Sequence, residues 1–168
     1  ISLDSLRSER FFQMTKRDLF HQVKSNIDLL LDHGISVKIN MVLMKGVNDD
    51  EVMDFINWTK NTAIEVRFIE FMPFDGNKWS SNQIFSHDEI LNNVKINYKV
   101  VSLPSKANDT AKCYTINGHR GSFAIISTMT APFCSTCNRM RLTADGKFKN
   151  CLFSIDETDL LTPLRNNE

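Results

Sequence analysis

SVKINMVLM, residues 36–44, alternates along its length and is rich in β-branched and apolar side chains, so it reads as a strand. EVRFIEFM, residues 65–72, reads the same way. Between them, Val52, Phe55, Ile56 and Thr59 recur at helical spacing, and Asn48 with Glu51 three residues on resembles a capping box. Upstream, Leu19, Val23, Ile27, Leu30 and Leu31 line one face of a helix predicted over residues 18–32, with Gly34 as its stop. ISLDS, residues 1–5, is a further short strand, and a chain that opens inside a strand reads as a fragment. Strand–helix–strand–helix–strand order means parallel strands joined by crossover helices, an α/β arrangement that becomes a barrel or an open sheet. In both, ligands gather at the C-terminal ends of the strands.

The strands carry polar groups where buried parallel strands should be apolar on both faces. Ser2 and Asp4, Lys38 and Asn40, and Glu70 with Met72 are expected to share one face and form a polar, ligand-binding interior. Ser86 and Glu89 make a second capping box, ahead of Ile90, Leu91 and Val94. Residues 97–168 are β-rich, with strand-like runs at 98–103, 111–116, 122–128 and 139–152. The last run is broken by the hairpin signal Ala144-Asp145-Gly146. The expected division is therefore 1–96 and 97–168.

Composition narrows the function. The 168 residues hold 20 Lys plus Arg and 20 Asp plus Glu, and this neutrality argues against a general nucleic-acid or membrane-surface binder. No apolar run approaches the roughly 18 residues of a membrane span. No GxGxxG or Walker loop is present. His21, His33 and His87 read as surface residues.

Cys134 and Cys137 form a C-x2-C pair, and Cys151 follows across the predicted hairpin. Such a turn aims two thiolates at one metal, and the hairpin returns the third. Three readings stay open. One is structural zinc, closed by Cys113 or His119. Another is a cubane cluster with one open iron, and the last is a redox disulfide. Lys112, Arg120, Arg139, Arg141, Lys147 and Lys149 lie between residues 111 and 151 against a single acid, Asp145. Arg139 and Arg141 alternate on one strand face, where planar guanidinium forks suit phosphate. A solvated hairpin whose cations balance thiolate charge is the alternative.

ISLDS, VKINMVLMKGVND, EVRFIEFMPFDGNKW and FCSTCNRMRLTADGKFKNCLF together resemble the GTP 3′,8-cyclase family of radical S-adenosylmethionine enzymes, molybdenum cofactor biosynthesis protein A. The resemblance runs from Ile1 to about Phe153. It implies the C-terminal part of an incomplete (β/α)6 TIM-like barrel, followed by a β-rich auxiliary-cluster segment. It further implies that Cys134, Cys137 and Cys151 ligate a second [4Fe–4S] cluster, and that Lys38, Arg139, Met140 and Arg141 bind GTP. Ser2 and Met72 would contact S-adenosylmethionine. No catalytic residue is assigned. The implied reaction is a lyase-type conversion of GTP to (8S)-3′,8-cyclo-7,8-dihydroguanosine 5′-triphosphate through a 5′-deoxyadenosyl radical.

The chain has no C-x3-C-x2-C motif for the first [4Fe–4S] cluster, and it ends at RNNE without the family's Gly-Gly tail. It is therefore expected to be inactive alone. The implied partner downstream is cyclic pyranopterin monophosphate synthase, and a homodimer is compatible with the resemblance. The implied compartment is bacterial cytoplasm, or the mitochondrial matrix in a eukaryote. A zinc-stabilised, non-catalytic binding module, or another radical S-adenosylmethionine enzyme with an auxiliary cluster, are the alternative readings.

Overall fold

The computed structural model describes residues 1–74 and 76–166. They form two compact units, Ile1–Phe133 and Cys134–Glu168. The first unit is built on β1 (Val37–Leu43), β2 (Ile64–Glu70), β3 (Val100–Ser102), β4 (Lys112–Ile116) and β5 (Ser122–Ile126). Their order across the sheet is β1-β2-β5-β4-β3. β1, β2 and β5 run parallel, while β4 and β3 run antiparallel. The α/β class holds, and the sheet is mixed. β3, β4 and β5, all beyond residue 96, hydrogen-bond into the sheet that begins with β1. The run at residues 1–5 contributes a parallel bridge, Ser2 to Asn40.

Four helices cover one face: α1 (Ser8–Thr15), α2 (Phe20–Asp32), α3 (Val52–Asn61) and α4 (His87–Lys95). That face buries Val37, Ile39, Met41 and Leu43 of β1 and Ile64, Val66 and Phe68 of β2 against Phe11, Ile27, Phe55, Ile56 and Ile90. α3 buries Val52, Phe55, Ile56 and Thr59, the four positions its periodicity predicts. An aromatic row crosses the sheet there. Ring centroids are 6.5 Å apart for Phe55–Phe68, 6.4 Å for Phe68–Phe123 and 5.2 Å for Phe123–Tyr114.

Helix starts divide sharply by chemistry. Ser86 and Glu89 form a reciprocal capping box on α4. Glu89 is held down to about 2 by Lys45 and the Ser86 groups. Asn48 and Glu51 do not form the box expected of them. Buried Asn48 instead donates to the Asp4 and Val42 carbonyls at 2.8 and 2.9 Å and accepts from the Met44 amide at 2.8 Å. It ties the first strand to the end of β1. Glu51 is fully buried and accepts from Ser5 Oγ (2.8 Å), the Leu6 amide (2.7 Å) and Arg10 Nη1 (2.6 Å). α1, which sequence reasoning passed over, brings Arg10 to that carboxylate.

The β4–β5 turn latches onto the end of α3. The Arg120 and Gly121 amides donate to the Lys60 and Thr59 carbonyls at 3.1 and 2.9 Å, satisfying acceptors a helix C-terminus leaves orphaned. A side chain at Gly121 would run into the Ile64 and Thr62 carbonyl oxygens, so this approach requires glycine. Thr59 Oγ1 donates to the Ile56 carbonyl (2.7 Å) and so accepts from His119 Nδ1 (2.8 Å). His119 Nε2 is buried with no partner among the described residues.

Burial first, and then Lys60, holds this imidazole below its ordinary value. Tyr98 meets the ring edge-on at 5.0 Å. The unfolded chain binds the proton more readily, so the latch's contribution is complete above the ordinary histidine pKa of about 6.5 and is lost as pH falls below it. Urea midpoints at pH 7.5 and pH 5 should therefore differ more for the native chain than for His119→Gln, which removes the titrating group.

The second unit holds a three-stranded sheet of order β6 (Arg141–Leu142), β7 (Lys147–Lys149) and β8 (Thr158–Asp159), all antiparallel, then α5 (Leu161–Asn166). Gly146 sits at φ +76° and closes the predicted hairpin. Each of these elements lacks a buried residue among those described.

Candidate functional site

In the first unit, the register sorts the strand residues onto two faces. Lys38, Asn40 and Val42 lie opposite Glu65, Arg67 and Ile69, on the face away from the helices. Arg67 is in turn opposite Ala124, and Ala124 opposite Cys113. One row therefore runs Asn40, Arg67, Ala124, Cys113 across four strands, with Ser2 bridged to its Asn40 end, beside a second row of Lys38, Glu65 and Ser122. Glu65 accepts from Arg67 Nε at 2.6 Å and faces Lys38 Nζ at 3.6 Å. Asn40 Oδ1 is buried and without a partner among the described residues. Burial, and then the Glu65 charge, pushes the Cys113 thiol up. Burial pushes Asp4 up against the opposing effect of its bond from the Val42 amide.

Ser2, Asp4, Lys38 and Asn40 thus share a polar face as expected, and Glu70 does not. Glu70 is the register partner of Leu43, on the helix-covered face, and is fully buried. Its carboxylate accepts from the Met129 amide (2.7 Å), the Thr130 amide (3.0 Å) and the Thr130 hydroxyl. It fixes the segment that follows β5. Met72 lies beyond the end of β2 in a loop, with its carbonyl accepting from Asn77 Nδ2 at 2.8 Å. His87 also departs from expectation. It is not a solvated residue: its ring lies between Tyr114 (2.8 Å) and Asp88 (2.9 Å), and its side chain is 13% exposed.

In the second unit, Cys134 opens a 3-10 turn, Cys134–Thr136, and the Cys137 amide donates to the Cys134 carbonyl at 3.3 Å. β6 pairs Arg141 with Lys149 and Leu142 with Phe148. The pairing ends at Arg141 and Lys149, and Cys151 follows that end by two residues. β6 is shorter than the predicted strand, so Arg139 and Met140 precede it. Cys134, Cys137 and Cys151 are all free and exposed.

Among the described residues, no three His, Cys, Asp or Glu side chains converge as a metal site. The donor set nevertheless suits an iron–sulfur cluster or zinc by its chemistry. It offers uncross-linked thiols, two of them on one turn and the third beyond the paired end of the same hairpin. Cys113 and His119, the expected alternatives for a fourth zinc ligand, belong to the first unit, and His119 Nδ1 is engaged by Thr59.

The hairpin's second sheet is two-faced. Lys147 pairs with Asp159 and Phe148 with Thr158. Arg141, Lys149, Lys147 and Asp159 therefore share a charged face, and Leu142, Phe148 and Thr158 share the other. Met140 and Leu142 are about 70% exposed. Sequence reasoning missed Glu65 and Arg67 on the first unit's polar face. Their signal was the alternation in EVRFIE, counted from the wrong residue.

The model of a known family, Molybdenum Cofactor Synthesis C, matches residues 64–168. GTP 3′,8-cyclase, mitochondrial, of Arabidopsis thaliana is 44% identical over 168 residues, 99% of this chain and 43% of its own length. Molybdenum cofactor biosynthesis protein 1 of Drosophila melanogaster is 42% identical over 167 residues, 99% of this chain and 30% of its own. GTP 3′,8-cyclase of Thermodesulfovibrio yellowstonii is 40% identical over 168 residues, 99% of this chain and 52% of its own. The chain thus spans about half or less of the length of these relatives.

Proposed function

The chain belongs to the Molybdenum Cofactor Synthesis C family, and from that premise we propose that it is the substrate-binding part of a GTP 3′,8-cyclase acting in molybdenum cofactor biosynthesis. The observation that carries this reading is the hairpin. Two free, exposed thiols precede β6 on one turn and a third follows β7, and a guanidinium and two ammonium groups share one face of the sheet between them. Cys134, Cys137 and Cys151 would hold a [4Fe–4S] cluster, which when bound supplies an open iron for the guanine base. Three protein thiolates leave one position unfilled, and a site that must bind substrate needs that vacancy.

The chain's own residues do the rest. Arg139 and Arg141 bind phosphate oxygens through charge-assisted, two-pronged hydrogen bonds. Met140 lies between them and, like Leu142, offers exposed apolar surface. Lys38, half-exposed on the polar face of β1, is a further GTP contact. Ser2 on the neighbouring edge and Met72 beyond β2 are the S-adenosylmethionine contacts. On this reading the first unit is the C-terminal part of a (β/α)6 barrel, and its polar face lines the interior. Holding two reacting atoms of one substrate in near-attack geometry is the main service such a site renders.

The four cysteines of the chain contain no C-x3-C-x2-C set, so radical generation from S-adenosylmethionine is assigned to a part of the protein outside these residues, and the 168 residues alone should not turn over. The product would pass to a cyclic pyranopterin monophosphate synthase. No helix among the described residues is long and apolar enough to cross a membrane. Single-turnover assays of the intact, anaerobically reconstituted protein should show S-adenosylmethionine consumed when GTP is present and little consumed without it. GTP-independent consumption, or none at all, would overturn the assignment.

A further inference from the structure

Arg141 and Lys149 stand directly opposite each other in the β6–β7 register, on the charged face. Like charges so placed repel unless an anion is supplied. The structure supplies it to one partner only. Glu157, immediately before β8, places Oε1 2.8 Å from Lys149 Nζ and Oε2 3.2 Å from Lys147 Nζ. Lys147 is also 3.1 Å from Asp145. Arg141 has no ion pair among the described residues and is exposed. The Lys149 and Glu157 side chains are only 23% and 27% exposed, so this pair is partly withdrawn from water. The two lysines hold the Glu157 carboxyl below the usual carboxylate range.

We propose that Lys149 is a further ligand for the triphosphate and that Glu157 is its displaceable counterion. This rests on the GTP reading above. A polyphosphate that reaches Arg141 arrives beside Lys149. It carries several negative charges against the single charge of Glu157, and the ammonium, with three donors, exchanges or shares its partner. A ligand of low charge competes poorly with Glu157. The carboxylate therefore makes the hairpin selective for highly charged nucleotides, while Arg141 remains the contact made first.

The test is calorimetric binding of GTP and of inorganic triphosphate to the intact, anaerobically isolated protein. Glu157→Gln should bind inorganic triphosphate about 3- to 10-fold tighter, with a steeper dependence on salt. Lys149→Met should bind both ligands about 3- to 10-fold more weakly. In the double variant, most of the gain from Glu157→Gln should disappear. If Glu157 only pins β8 to β7, Glu157→Gln leaves affinity unchanged or weaker whether or not Lys149 is present, and the proposal is wrong. Should Glu157→Gln fold poorly, Lys149→Met alone decides: unchanged affinity overturns the proposal. Arg141→Ala separates the two levels. If it leaves GTP binding intact, the GTP reading of the hairpin fails. If it weakens binding while the Glu157 and Lys149 variants do nothing, only this inference fails.

Discussion

Cys137→Ser in the intact protein should lower GTP-dependent consumption of S-adenosylmethionine by more than about 100-fold. Loss of a partner that merely orients a metal ligand already costs about 10- to 100-fold, and Cys137 would be a ligand itself. It shares one turn with Cys134, so its loss removes half of the donor pair that the turn preorganises. Serine keeps the size and the backbone turn, in which the residue-137 amide donates to the Cys134 carbonyl, so the fold of the hairpin should survive. Circular dichroism of the variant should be unchanged while activity is lost. Cys113→Ser is the useful contrast. That thiol lies on β4 in the first unit, and its replacement should leave iron content unchanged. Iron lost equally from both variants would contradict the assignment of ligands.

Glu51→Ala should destabilise the first unit by about 3–5 kcal/mol, the cost of removing one partner from a buried, hydrogen-bonded ion pair. The carboxylate is fully buried and receives Ser5 Oγ, the Leu6 amide and Arg10 Nη1. Its removal strands the Leu6 amide and part of a guanidinium, while Ser5 Oγ keeps the Arg7 carbonyl and amide as partners. Arg10 retains Asp50 at 2.5 Å, which limits the loss on the charged side. For a chain of this length, a loss of that size lowers Tm by roughly 10 °C. Ser5→Ala, which removes one donor to that carboxylate and the acceptor of the Arg7 amide, should cost about 1–3 kcal/mol. A Tm shift under about 2 °C for Glu51→Ala would show that water readily takes the carboxylate's place.

Much of the fold was legible because its periods are strong. β1 and α3 follow alternation and 3.6-residue spacing closely, and the Ser86–Glu89 box is a local signal that needs no tertiary partner. α1 was missed because its N-cap position is Arg7, which makes no side-chain capping bond, and because it buries only Phe11. Asn48 and Glu51 have the spacing of a capping box, but the strand ends beside them offer stronger partners. Glu70 shows a subtler limit. Alternation fixes which residues of one strand share a face, but not which parity meets the even residues of β1. The register pairs Lys38 with Glu65 and Leu43 with Glu70, so the polar face takes odd residues from β2. That one slip moved Glu70 onto the polar face and hid Glu65 and Arg67. At the hairpin, by contrast, the thiol spacing and Gly146 are local signals. The cross-strand company of Lys149 and Glu157 became visible only with the register of three strands in hand.

The most direct test of the central claim is a count of iron and acid-labile sulfide in the anaerobically isolated intact protein, beside its Cys134→Ser/Cys137→Ser/Cys151→Ser variant, each with and without GTP. The account predicts that the variant loses about four iron and four sulfide per chain, together with the spectral change that GTP causes in the native protein. A variant that keeps all its iron and sulfide and loses one zinc instead would contradict it.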